Sequence, residues 1–111
     1  MDLLDRLLEH DRWTTRQVLA ICATLTSAQL QQPTAIGHGT IDETLRHTIR
    51  NIQVWTDLMC EQPLRPRDPV EHATIVELAG IFEASYADFA DSARRMRDGN
   101  ISYLGRTDHQ L

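Results

Sequence analysis

Lysine is absent from this chain, cysteine occurs twice, and aromatic residues make up only 5%. Each scarcity excludes something. All eleven basic side chains are arginines, and they form no face-length stripe; the densest group is Arg94, Arg95 and Arg97. With a formal charge of −5, nucleic acid is excluded as the main partner, because phosphate binding needs concentrated positive charge. Cys22 and Cys60 are too few and too isolated for a disulfide framework or a thiolate metal cluster. Neither has a cationic cluster beside it to activate a thiolate, so both read as packing residues. No apolar run approaches the ~18 residues of a membrane span. The opening Met1-Asp2-Leu3-Leu4-Asp5 is acidic and lacks the basic start of a secretory signal, which predicts a cytoplasmic protein. His-x-x-x-His, His-Glu-x-x-His and Cys-x-x-Cys are all missing, as are a glycine-rich phosphate loop and a recognisable nucleophile turn.

What is present is helical. The 111 residues, 41% hydrophobic and 24% charged, predict a single domain over 1–111 with its own core. Three segments carry helical periodicity, over about 2–25, 41–60 and 75–97. In the first, Asp2 and Asp5 suit a helix start, and Leu4, Leu8, Val18, Cys22 and Leu25 share one side. Asp11, Thr14 and Thr15 interrupt that side, and Trp13 projects from nearly the opposite one. In the second, Thr40 and Glu43 form a capping-box pattern. Ile41, Leu45, Ile49, Ile52, Trp55 and Met59 make a broad apolar face, leaving a narrow polar strip of Arg46, Arg50, Gln53 and Asp57. A helix that apolar is packed on several sides. In the third, Thr74 and Glu77 repeat the capping box, and Leu78, Phe82, Tyr86 and Phe89 recur at three- and four-residue steps. Arg94, Arg95 and Arg97 suit its negative end, and Gly99 terminates it. Between the first two lies a short helical turn, Thr26 to Leu30, and then a Gly-flanked loop holding His38. The second connection holds Pro63, Pro66 and Pro69, which predicts an extended, stiff crossing. Strand patterns and repeats are absent.

His47 is the candidate that chemistry singles out. It sits at the edge of the second helix's apolar face, and a neutral imidazole there is the commonest protein ligand for Zn, Ni or Fe. A hydrogen-bonded boundary histidine fits the pattern too. Ligation needs further donors from other helices, and His10 and Asp11 on the first helix are candidate neighbours. Asp11 can equally be satisfied by a hydroxyl or backbone group. His38, His72 and His109 read as exposed. Trp13, facing away from its helix's main stripe, is a candidate for an interface with another element or a second subunit.

The run from Leu8 to Leu19 resembles the first helix of the DinB/YfiT-like family of metalloenzymes. Ile36-Gly37-His38-Gly39-Thr40, Thr44-Leu45-Arg46-His47 and Trp55-Thr56-Asp57 resemble that family's loop and second helix. The resemblance covers nearly the whole chain. It implies an all-α, antiparallel four-helix bundle in up-down-down-up order, often a homodimer, with a divalent metal held by three histidines. His47 matches the ligand from the second helix. The other two come from a His-x-x-x-His pair on a fourth helix, and this sequence shows no such pair, so His109 is not promoted to ligand. The fold expected is therefore a truncated DinB/YfiT-like bundle, with metal bound weakly or not at all by this chain alone. Some relatives in the family use the metal to activate a low-molecular-weight thiol, as S-transferases or isomerases. Two functions stay open: a metal-dependent enzyme of that type, or an incomplete piece of one; and a non-catalytic helical module for dimerisation or partner binding, using an apolar groove beside the three helices.

Overall fold

A computed structural model describes residues 2–33 and 39–99, and within them the chain is all-α. Five helices follow in order: α1 (Leu3–Cys22), α2 (Ser27–Leu30), α3 (Ile41–Met59), α4 (Asp68–His72) and α5 (Ile75–Arg97). No strand occurs among the described residues, only an isolated bridge between Pro33 and Thr40.

Each long helix begins where its capping residue stands. Asp2 accepts the Asp5 N–H at 2.9 Å, Thr40 accepts that of Glu43 at 3.0 Å, and Thr74 and Glu77 complete a reciprocal capping box. The Glu43 carboxylate lies against Gly39, with Oε1 2.9 Å from where a Cβ would stand. Gly39 has φ +90°, so only glycine enters α3 this way without strain. The first helix stops three residues short of the expected Leu25. Ala23 and Thr24 turn back onto Leu19 and Ile21 instead, and the Thr24 hydroxyl donates to the Ile21 carbonyl at 2.6 Å.

α5 is the helix on which the others lean. It packs against α1, α3 and α4, and its Leu78, Phe82 and Tyr86 are sealed from solvent with Ile49 of α3 and Val70 of α4. Each such side chain contributes about 1.5–3 kcal/mol through lost apolar exposure. Asp5 pairs with Arg94, and Arg12 with Glu83, so α1 and α5 run antiparallel. Gln53 meets Ser85 and Cys60 meets Ser92, so α3 and α5 run parallel, the up-down-down order that the resemblance implied. A parallel pair needs a long crossover, and residues 60–74 supply it.

That crossover differs from the expected extended strut. Pro69 sits in the first turn of α4, where a missing N–H costs nothing and the fixed φ favours helix. The pattern on α3 also shifts. Gln53 and Asp57, expected on a polar outer strip, are 5% and 6% exposed, because they bond Ser85 and Arg65 at the seam with α5 and the crossover. Trp55, expected on the packed face, is exposed, and so is Leu58. On α1, Leu19 takes the buried place expected for Val18.

Candidate metal centre

α4 and the segment leading into it are tied to α3 by two arginines one helical turn apart. The Arg46 guanidinium donates to both Asp42 oxygens at 2.9 and 3.0 Å, and its Nη1 donates to the Val70 carbonyl at 2.8 Å and the Glu71 carbonyl at 3.3 Å. Arg50 Nη1 donates to the Arg65 carbonyl at 2.6 Å. Val70 then plugs into the core. Hydrogen bonds from Arg46, with its charge, hold the Asp42 carboxyl below the usual carboxylate range despite partial burial. Between the two elements remains a crevice of about 290 Å³, walled by Glu43, Arg46, His47 and Arg50 of α3 with Arg67, Val70 and Glu71 of the crossover.

His47 is exposed on this wall, so the edge position read from the sequence falls on the solvent side and not toward donors on other helices. The reason lies in the shifted register of α3: Leu45, Ile49 and Gln53 take the side facing α5, which carries His47 round to the open side. Asn51, one turn on, has its side-chain amide nitrogen 3.1 Å from His47 Nε2; a metal taken at Nε2 would displace that amide. The structure does not bring His10 or Asp11 to His47. His10 stacks on Trp13 with ring centroids 6.3 Å apart. Asp11 accepts a hydrogen bond from the Tyr86 hydroxyl at 2.9 Å, which is the hydroxyl partner the sequence allowed. Burial, reinforced by the Asp11 carboxylate, pushes the Tyr86 phenol well above its ordinary range. His72 is exposed as expected, while His38 and His109 lie outside the described residues. Cys22 is buried, and burial pushes its thiol pKa up, which suits a packing role.

A second set of donors was not singled out from the sequence. Asp68, Glu71 and His72 present ligand atoms within 4.8 Å of one another, all three side chains exposed. Their spacing, i, i+3 and i+4, places them on one side of a helical turn. Two carboxylates and an imidazole suit a divalent cation, so the chemistry of this set fits a metal. His47 forms no such three-donor group with other described residues. The two places nevertheless touch, since Glu71 belongs both to the trio and to the crevice that His47 walls.

The family model described as "DinB family" matches residues 1–105. The chain belongs to the DinB family. No curated protein and no solved structure matches it. Membership gives the helical layout a named context, and the DinB family is generally associated with metals. Among the described residues, no helix is long and apolar enough to cross a membrane.

Proposed function

We propose that this DinB-family chain is a metal-dependent enzyme of the thiol S-transferase or isomerase type, acting at the crevice between α3 and α4. His47 serves as a metal ligand on the crevice wall, with Glu71 as the carboxylate shared with Asp68 and His72. One observation supports this best: a single residue, Glu71, joins the family-matched histidine's crevice to a set of donors already close enough to converge. A bound Zn, Ni or Fe ion would supply Lewis acidity and lower the pKa of a low-molecular-weight thiol. The protein's own contribution is positional. Arg46 holds the Val70 and Glu71 carbonyls and so fixes the turn that carries the trio. Because the trio is open to solvent, the ion is held weakly and exchanges.

The test is metal titration of the purified chain, followed by thiol turnover. We expect saturable Zn or Ni uptake at one site, with the metal lost on exhaustive dialysis. His72→Ala and Glu71→Gln should each weaken uptake by roughly tenfold or more, and His47→Ala should weaken it without unfolding. Absence of saturable uptake would sink the proposal.

A second reading, a non-catalytic dimerisation or partner-binding module, draws on a different observation. Leu3, Leu7, Val18 and Ile21 on α1, and Trp55 and Leu58 on α3, are exposed apolar side chains, and the four on α1 recur at helical spacing along one side of that helix. On this ground we also propose a homodimer. Sedimentation showing a strict monomer across the micromolar range would rule it out. The two free thiols, Cys22 and Cys60, suit a reducing compartment, and we propose the cytoplasm.

A further inference from the structure

Apolar exposure is concentrated on one helix. Leu3, Leu7, Trp13, Val18 and Ile21 of α1 are all exposed, whereas α3 shows Trp55 and Leu58 and α5 only Val76. At 3.6 residues per turn, Leu3, Leu7, His10, Thr14, Val18 and Ile21 fall within an arc of about 80°, and all six are open to solvent. The charges of α1 lie off this strip. Asp5 is held by Arg94, and Arg12 and Arg16 by Glu83, all toward α5. Asp11, the carboxylate nearest the strip's midpoint, accepts the Tyr86 hydroxyl, which draws it toward α5 as well. A chain with a formal charge of −5 therefore keeps one long strip free of formal charge, where a second copy approaches without meeting like charge head-on.

The strip also has an order that suits itself. From either end it reads two apolar residues, two polar ones, then two apolar ones. Laid antiparallel on a second copy, Leu3 faces Ile21, Leu7 faces Val18, and His10 faces Thr14, each contact repeated by the two-fold axis. Antiparallel helices set opposite dipole ends together, whereas a parallel pair would gather both acidic starts, Asp2 and Asp5, at one end. The strip is about 27 Å long, and pairing it removes on the order of 1,000 Å² from water in total. That is the lower end of specific interfaces, and it corresponds to a dimer in the micromolar range.

We propose that the α1 strip docks on the same strip of a second copy, antiparallel, about a two-fold axis between His10 and Thr14. The inference rests on the homodimer reading above and assigns its surface and register.

Sedimentation equilibrium of the full chain tests both. Leu3→Glu and Ile21→Lys, each at an exposed position, should weaken association roughly tenfold apiece. The double variant should associate no more weakly than either single one, because its new acid and new base face each other across the axis; independent losses would multiply instead. Trp55→Glu and Val76→Glu, on the rival surfaces, should leave association unchanged. A strict monomer would sink the homodimer and this interface together. A dimer that ignores the Leu3 and Ile21 variants but is broken by Trp55→Glu would overturn the strip and leave the homodimer standing. Single variants that dissociate the dimer, with losses that multiply in the double variant, would overturn the antiparallel register. Variants that lower the melting temperature of a monomer would mean that the chain's own residues cover the strip, which also overturns the proposal.

Discussion

Arginine lines both the α1–α5 seam and the α3–α4 crevice, and the two regions use it differently. Along the seam, each arginine meets a carboxylate across the helix pair: Arg12 and Arg16 on Glu83, Arg94 on Asp5, Arg97 on Asp2. These pairs are open to water, and such pairs contribute little individually and fade in salt. In the crevice and its crossover, arginines pair with carboxylates as well (Arg46 with Asp42, Arg65 with Asp57) but also reach backbone carbonyls: Arg46 those of Val70 and Glu71, Arg50 that of Arg65. Those bonds hold a segment that has little apolar surface of its own beyond Val70. The seam's charges therefore choose helix orientation, whereas the crossover's charges hold a turn that carries candidate ligands. Rigidity is invested where donors must converge.

The largest test of this difference falls on Asp57. It accepts the Arg65 backbone N–H at 2.9 Å and the Arg65 guanidinium at 2.9 Å, and so closes the start of the crossover. Burial works against its ionisation, but the Arg65 hydrogen bonds and the nearby Arg65 and Arg50 charges hold the carboxyl below the usual range. Asp57→Asn should cost about 3 kcal/mol in urea unfolding, since it removes the buried partner of a half-buried guanidinium and leaves it only the exposed Asp88 at 3.3 Å. Hydrogen exchange should quicken over residues 61–67 beyond the rest of the chain. An effect no larger than that of a seam variant would break the comparison.

Arg46→Met comes next. It removes charge-assisted bonds to the Val70 and Glu71 carbonyls and should cost about 2 kcal/mol, with little dependence on ionic strength. If Arg46 positions the trio, metal uptake should weaken by more than the stability loss explains, which a metal titration well below the melting temperature would read.

Much of this layout is legible in the residues themselves, and the boundary of legibility is physical. The Leu78, Phe82 and Tyr86 stripe, the Thr74–Glu77 box and the Thr26 turn follow from short-range periodicity and capping. Gln53 and Asp57 mislead because their burial depends on partners 32 and 8 residues away, which no local pattern encodes. The trio was hidden by Pro63, Pro66 and Pro69. Three prolines suggest an extended strut, yet one of them begins a helical turn, and only that turn brings Asp68, Glu71 and His72 to one side. His47 was found through its resemblance to the family's ligand position, and its exposure follows from the same register shift that buries Gln53.

The smallest predicted effect belongs to the seam. Hydrogen bonds from Arg16, opposed by partial burial and joined by Arg12, lower the Glu83 pKa from 4.5 to about 2. A carboxylate with a depressed folded pKa stabilises the fold above its unfolded pKa, near 4.5, and that contribution disappears as pH falls toward 2. Glu83 is more than a third exposed, so solvent screening keeps the contribution to about 0.5 kcal/mol or less near neutral pH. Glu83→Gln should therefore lower stability slightly at pH 7, converge with the parent chain below pH 2, and lose its effect in molar salt. The Asp57 variant, by contrast, should keep most of its deficit in the same salt. Equal salt sensitivity in the two would mean that the seam and the crossover use their arginines alike, and the distinction between orienting charges and tethering charges would fail.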